Sequence, residues 1–373
     1  MSGSPQTGPI VVYAATGYTG RLVSAELGRR GADFIVAGRS RPKLDALAAE
    51  LEPTPGVAAV SLDDAAGLRR MLADAAAVIA CAGPFTLHGR PVLEAAVATG
   101  THYVDTTGEQ PFIRAVFSDH GAAAESSGAA LVSGMGFDYA PGDLLAALTA
   151  DGITGRLDEL TIAYAIRGFG PTRGTALSAL EMISGGDVEW RDGAYRETDR
   201  SAGRGRFDFP SPIGSRRVGR YPAGEQITVP RHVEVDTVRT VIAMSSVAPA
   251  LLGPLAAPLM TAAGYLMDTP ARRLAAMAIE RLPEGPTATE RRAVRFTIVC
   301  DASGASGSRR GIVRGSDVYG TTAVTTAEGA LRMAAPSYDR SGALAPAQAY
   351  DPREFLDSLR AHGLTHQLLD APE

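Results

Sequence analysis

The sequence predicts an α/β chain of two domains: an N-terminal doubly wound parallel sheet and a second α+β domain with a mostly antiparallel sheet. Three observations predict it. Apolar, strand-like runs alternate strictly with helix-patterned segments as far as about residue 134. A glycine-bearing turn joins the first run to the first helix. After about residue 150 the rhythm changes to hairpin-like pairs. At 373 residues the chain also exceeds what one core usually holds. The expected division is a polar tail over 1–9, a first domain over 10–145, an α+β domain for substrate or dimerisation over 146–340, and a helical segment over 341–373 that packs back on the first domain.

The elements follow in order. IVVYAA (10–15) is a short apolar run that ends at a turn, so it reads as a buried strand. GRLVSAELGRRG then carries apolar residues at helical spacing, at Leu22, Val23 and Leu27, and stops at Gly31. DFIVAG (33–38) is the next strand, and Pro42 opens a helix through Leu51. VAAVSL (57–62), a helix near Asp64–Ala75 and AVIACAG (77–83) continue the alternation. A helix over Pro91–Thr99, the strand HYVD (102–105), a helix around Phe112–Ser127 and the strand AALVSG (129–134) complete it. Strands without polar alternation are covered on both faces, and right-handed crossovers then give the doubly wound arrangement. Beyond residue 150 come the strand LDELTIAYAI, a helix near Gly174–Ser184, and VEWRDGAYRE, a hairpin about an Asp-Gly turn. A Gly/Ser/Arg/Pro-rich loop is expected over 199–224, then RRAVRFTIVCDAS and SRRGIVRG paired across GASG, and a last helix in DPREFLDSLRAHG.

Composition excludes some functions. The net charge of −5 provides no basic field for nucleic acid, and the arginines near 200–220 have no aromatic stacking platform beside them. Cys81 and Cys300 are the only cysteines, and both read as buried free thiols in strands rather than a disulfide or metal site. The start MSGSPQTGP has neither a charged end nor an apolar run, so it reads as no signal peptide, and a cytoplasmic setting is expected. Thr240–Met267 is free of charge and long enough to cross a bilayer. Its prolines at 249, 254 and 258 argue instead for a core segment, or a wall for an apolar substrate. The amphipathic ARRLAAMAIERL after it leaves a peripheral membrane contact open.

The turn YAATGYTG (13–20) carries the first function. Backbone N–H groups at the start of a helix face an anion, and Gly17 and Gly20 allow close approach of a diphosphate and close packing of helix on strand. Ala15, Thr16, Gly17, Tyr18, Thr19 and Gly20 are therefore cofactor-binding candidates. Ala14 fits the first glycine position provided the backbone there keeps a negative φ. The fold is thus a Rossmann-type dinucleotide domain. The second strand ends not in an acid but in GRSRPK (38–43), where Arg39, with Ser40, Arg41 or Lys43 nearby, suits a 2′-phosphate, so the cofactor is read as NADP(H). Ala82, Gly83, Pro84 and Phe85, at the end of the fourth strand, would pass beside the ribose and nicotinamide.

These segments resemble a known family. YAATGYTGR, VAGRS, CAGPFTLHGRPVLEAA, THYVDTTGE, GFDYAPGDL, DVYGTTA and LAPAQAYDPREFLDSL are similar to the signature segments of saccharopine dehydrogenase-like oxidoreductases, nearest the branch that holds trans-acting enoyl reductases. The resemblance implies a nicotinamide cofactor in the first domain and a small-molecule or acyl substrate between domains. Where the family has glycine this chain has Ala14, and where it has a small hydroxyl this chain has Tyr139.

For proton transfer or oxyanion binding the sequence offers His88, Asp105 and Tyr139 as catalytic candidates, with Glu109 close by. Tyr103, Asp138 and Arg173 are candidates for substrate contact, and His232 reads as structural. Lys43 is the only lysine, so with Lys43 on the cofactor side no lysine is left for acid–base or Schiff-base chemistry. No Tyr-x-x-x-Lys pair precedes it, since Arg39 stands four residues before. The expected activity is NADPH-dependent reduction of a C=C (enoyl) or C=N bond in a lipid, polyketide or other specialised-metabolism intermediate. A non-catalytic NADPH sensor or membrane-associated scaffold is the alternative. No metal is expected, and a homodimer stays open.

Overall fold

The computed structural model describes residues 8–184, 187–198, 205–247 and 271–370. The chain divides into two compact units. The first holds residues 1–140 and 319–350, and the second holds 141–318 and 351–373.

The first unit is built on a seven-stranded sheet, all of whose pairs are parallel. Its strands are β1 (Ile10–Tyr13), β2 (Phe34–Gly38), β3 (Gly56–Ala59), β4 (Ala77–Ala80), β5 (His102–Asp105), β6 (Ala130–Val132) and the late β15 (Gly342–Ala343). The spatial order is β3-β2-β1-β4-β5-β6-β15, so the winding reverses between β1 and β4. Ligands of such sheets bind outside the carboxyl ends of the strands at that reversal. Every residue of β1 and β4 is buried, as their unbroken apolar runs require. The connecting helices include α1 (Tyr18–Arg29), α2 (Arg41–Ala49), α3 (Ala65–Leu72), the short α4 (Phe85–His88), α5 (Arg90–Thr99), α6 (Gln110–Ala115) and α7 (Gly121–Ser127). Helix Val318–Met333 also belongs to this unit from Tyr319 onward.

The second unit carries a nine-stranded sheet, ordered β10-β11-β12-β7-β13-β14-β16, with β8 and β9 branching from β12. These strands are β7 (Leu157–Arg167), β8 (Val188–Arg191), β9 (Ala194–Glu197), β10 (Gly205–Phe209), β11 (Gly214–Arg220), β12 (Val235–Ala243), β13 (Arg295–Gly304), β14 (Gly307–Ser316) and β16 (Thr365–Leu369). Among the described residues β12 and β7 alone pair in parallel, and the other pairs are antiparallel. The Asp-Gly hairpin forms as expected: Asp192 and Gly193 both take positive φ, 52° and 70°, as the tight turn between β8 and β9 demands. β13 and β14 pair in full register across the expected turn.

Several expectations are corrected. The stretch expected as a loop over 199–224 contains the β10–β11 hairpin, whose Phe209 and Val218 join a buried cluster with Val299 and Ile312. The last helix, Pro352–Ser358, falls in the second unit, and β16 after it pairs with β14. The C-terminal part that joins the first unit is 319–350, ending beyond the two residues of β15. Cys81 stands just past β4 rather than within it, Cys300 is buried in β13, and both are free thiols. Thr240–Ala243 of the charge-free stretch is the end of β12, while 248–267 lies outside the described residues. Among the described residues no helix is long and apolar enough to cross a membrane.

Candidate functional site

The turn after β1 presents backbone. Gly17 N donates to the Ala14 carbonyl at 3.1 Å, closing the turn, and Ala15 N reaches the Ala37 carbonyl of β2 at 3.1 Å. Gly17 precedes α1 in extended conformation with no side-chain cap, and no acid stands in the first turn of α1. The first N–H groups of a helix have no partner within it, and the residue before α1 offers them no side-chain cap. A β-carbon at Gly20 would stand 2.4 Å from the Ala14 carbonyl oxygen and 2.7 Å from Ala15 Cα. Only glycine lets α1 lie this close to the strand end. The side chain of Ala15 is wholly buried, Thr16, Tyr18 and Thr19 are half-buried, and Gly17 is exposed. Tyr18 packs edge-on against Tyr319 with ring centres 5.3 Å apart.

Ala14 departs from expectation. Its φ is +59°, so it occupies the left-handed region that glycine adopts freely and alanine does not. The turn keeps the glycine backbone shape without the glycine.

At the end of β2, Arg39 is exposed, Ser40 precedes α2 without a side-chain cap, and the first turn of α2 carries no acid. Arg41 is occupied by Asp45, with Nε 2.7 Å from Oδ1. Lys43 is exposed. The hydroxyl of Tyr13 donates to the Val60 carbonyl at 3.0 Å. Burial pushes that phenol up to about 12, and the positive charge of Arg39 pulls the other way, which brings the guanidinium within electrostatic reach of the end of β1. An open helix start and a free-standing guanidinium fit the phosphate of a phosphorylated adenosine.

Past β4, Ala82 and Gly83 lead to a cis peptide at Pro84 and then to Phe85, whose ring lies 5.6 Å from that of Phe112. The start of α4 is capped from a distance. Both carboxylate oxygens of Glu109 accept backbone N–H groups, from Phe85 and Thr86 at 2.8 Å each, and the Thr86 hydroxyl adds a third bond. Glu109 is 1% exposed, so this loop is fixed by a buried carboxylate twenty-odd residues away in sequence. Its spacing from Phe85 carries no local signal. His88 ends α4 on the exposed surface.

The loops after β5 and β6 are tied together by Asp105. Its Oδ1 accepts N–H groups from Thr107 at 3.0 Å and Gly134 at 2.8 Å, and its Oδ2 accepts the Ser133 hydroxyl at 2.7 Å. Burial raises its carboxyl to about 6 against these bonds, which favour the charged form. Tyr103 is wholly buried in the core, and burial beside Asp105 pushes its phenol far up. The structure thus gives Tyr103 and Asp105 positions inside the sheet edge rather than on its surface. The Tyr139 hydroxyl donates to the Gly108 carbonyl at 2.5 Å, so its proton already has an acceptor. Asp138, next to it, is half-buried, and burial raises its carboxyl to about 6.

The remaining candidates lie in the second unit. Arg173 donates to the Glu280 carbonyl at 3.1 Å and approaches Glu284 at 3.6 Å. His232 follows a short helical turn rather than lying in a strand, and its Nε2 is 2.9 Å from the wholly buried Asp143.

The sheet order, the close-packed turn and the open helix starts define a Rossmann-type protein for a nicotinamide dinucleotide. Residues 10–132 match the family described as the saccharopine dehydrogenase NADP binding domain, which supports NADP(H) as the cofactor. The trans-acting enoyl reductase of Mycobacterium ulcerans (strain Agy99) is 33% identical over 244 residues, 60% of this chain and 57% of that protein. The human saccharopine dehydrogenase-like oxidoreductase is 27% identical over 209 residues, 52% of this chain and 46% of that protein. The chain thus spans about half the length of the curated relatives it matches. Among solved structures, apo saccharopine dehydrogenase (L-Glu forming) of Saccharomyces cerevisiae superposes with a TM-score of 0.61, covering 97% of this chain and 100% of that one. At 14% identity this likeness is one of fold.

Proposed function

We propose that the protein is an NADPH-dependent reductase of a carbon–carbon double bond conjugated to a carbonyl, in a lipid, polyketide or related acyl intermediate. The observation that carries the reading is the pairing of a glycine-packed, acid-free turn at Gly17–Gly20 with an exposed guanidinium at Arg39 over an uncapped helix start. Relatives named trans-acting enoyl reductases, at about a third identity, favour C=C over C=N. A reduced nicotinamide supplies hydride when bound. The chain's own residues do the rest. Backbone N–H groups at Thr16–Gly20 hold the diphosphate, and Arg39, Ser40 and Lys43 hold the adenosine phosphate. Glu109 fixes the 84–88 turn, and Asp105 fixes the loops after β5 and β6.

The test is a fluorescence titration with NADPH, followed by absorbance assays with a panel of enoyl thioesters, cyclic imines and ketones. Saturable binding and consumption of NADPH with enoyl thioesters is the expected result. Tight binding without turnover on any member of the panel would favour the sensor instead, and no binding at all would refute both.

A further inference from the structure

The cofactor candidates in the turn after β1 end at Gly20 in sequence, but the next side chain folds back onto that turn. Arg21 lies in the first turn of α1, where its own N–H meets the Gly17 carbonyl at 2.9 Å. Its Nε donates to the Thr16 carbonyl at 3.1 Å. Arg21 thus holds two consecutive carbonyls of the turn, one with its backbone and one with its side chain. The guanidinium is fastened to the same loop that leads into the helix-start N–H groups.

Other arginines near α1 close on carboxylates. Arg29 and Arg30, at the far end of the helix, each meet Glu26 at 2.7 Å. Arg41, in α2, meets Asp45 at 2.7 Å. Arg21 instead approaches Glu50 at 3.9 Å, with the two side chains 43% and 69% exposed. An ion pair that long and that open to water contributes little and fixes neither partner. A guanidinium carries five N–H donors in a planar fork, and the Thr16 bond uses one. The rest lie beside a helix start with no acid in its first turn. Backbone N–H groups at a helix start carry only partial charge, so a full cation anchored among them adds what a multiply charged anion needs.

We propose that Arg21 is a further binding residue of the dinucleotide site: its guanidinium, anchored on the Thr16 carbonyl, supplies the positive charge that meets the diphosphate, while Arg39 serves the 2′-phosphate. The assignment rests on the dinucleotide reading of the turn. The part played by Arg21 is common to NADPH and NADH, and the part played by Arg39 belongs to NADPH. Glu50 competes with the diphosphate for the Arg21 guanidinium, so its charge opposes binding.

The test is calorimetric titration of the full chain with NADPH and with NADH, at low and at high sodium chloride, for wild type, Arg21→Gln, Arg21→Lys and Glu50→Gln. Glutamine keeps an N–H donor without the charge, and lysine keeps the charge. Arg21→Gln is expected to weaken both dinucleotides by the same factor, about 10-fold at low salt, and by less at high salt, where charges are screened. Arg21→Lys should lose no more than about threefold, and Glu50→Gln should bind as tightly as wild type or more so. Without cofactor, the variants should melt within about two degrees of wild type, as expected for an exposed pair. An Arg21→Gln protein that binds both dinucleotides like wild type overturns the assignment. So does a loss confined to NADPH, which would put Arg21 on the 2′-phosphate. Equal losses in Arg21→Gln and Glu50→Gln would make the ion pair itself the working element, again against the proposal. Equal losses in Arg21→Gln and Arg21→Lys, insensitive to salt and accompanied by lower melting temperatures, would reduce Arg21 to a clamp on the turn. Wild type that binds neither dinucleotide overturns the reading beneath, and the first titration shows it before any variant is compared.

Discussion

The two ends of one sheet edge are made of different material. At the β1–β2 end the polar groups are backbone N–H donors and the exposed cation of Arg39, and no acid stands in the first turn of either α1 or α2. At the β5–β6 end the polar groups are carboxyls, Asp105, Glu109 and Asp138, the first two wholly buried and bonded to backbone N–H groups. The difference suits two distinct jobs. A diphosphate is held by many weak donors left open and by close approach, which glycine permits. Asp105 and Asp138 are kept from water, and burial raises the carboxyl of each to about 6. One end is specified by small residues, the other by contacts between loops distant in sequence.

The sharpest way to break the first end is Gly20→Val. The added carbons collide with backbone at Ala14 and Ala15. The variant should lose about 3 kcal/mol or more of stability and all measurable NADPH binding. Urea denaturation and fluorescence titration check both; a stable, binding variant would mean that α1 can draw away from β1 without consequence.

Asp105→Asn probes the second end. The folded protein holds the Asp105 carboxyl at about 6, above the roughly 3.9 of an unfolded chain, so the native state binds its proton more tightly. The resulting stabilisation is fully present below about pH 4 and is lost as pH rises through about 6, amounting to roughly 3 kcal/mol. An amide keeps the oxygen that accepts the Thr107 and Gly134 N–H groups and can donate to Ser133 from the other side. Relative to wild type, the variant should therefore gain about 2 kcal/mol between pH 4 and pH 7. Parallel denaturation curves at both pH values would measure it, and identical pH dependence in the two proteins would remove the buried-acid account of this loop.

The smallest effect sharpens the comparison. Ala14 sits at φ +59°. Ala14→Gly should relieve about 1 kcal/mol of strain and raise Tm by a few degrees, without loss of NADPH affinity. A lower Tm would show that the methyl group contributes more by packing than its conformation costs.

Much of this was legible in the sequence because it is local. Continuous apolar strands, helix stops at glycine, and the Asp-Gly and glycine-bearing turns depend on neighbours in the chain, and the first sheet formed as they imply. What was not legible depends on partners far away. Helix Val318–Met333 carries four threonines and two glycines, poor helix formers, and so gave no signal. Its threonines are held by tertiary contact: Thr322 and Thr325 bond the loop at Met135–Phe137, and the Thr325 and Thr326 hydroxyls are satisfied by carbonyls one turn back. The two residues of β15 are strand only because β6 offers an edge. Ala14 was expected at negative φ, but the demands of the turn outweigh the preference of the residue. Asp105 at a strand end and Tyr139 near a helix start read as catalytic candidates; their backbone donors and acceptor come from loops that the sequence does not bring together.

The central claim is that the end of β2 selects the phosphorylated dinucleotide. Calorimetric titration of wild type and Arg39→Ala with NADPH and with NADH tests it most directly. Wild type should prefer NADPH, and Arg39→Ala should weaken NADPH about 10- to 100-fold, which corresponds to about 1.4 to 2.7 kcal/mol, while NADH affinity stays unchanged. Equal affinity of wild type for both dinucleotides, or equal losses for both in Arg39→Ala, would contradict it.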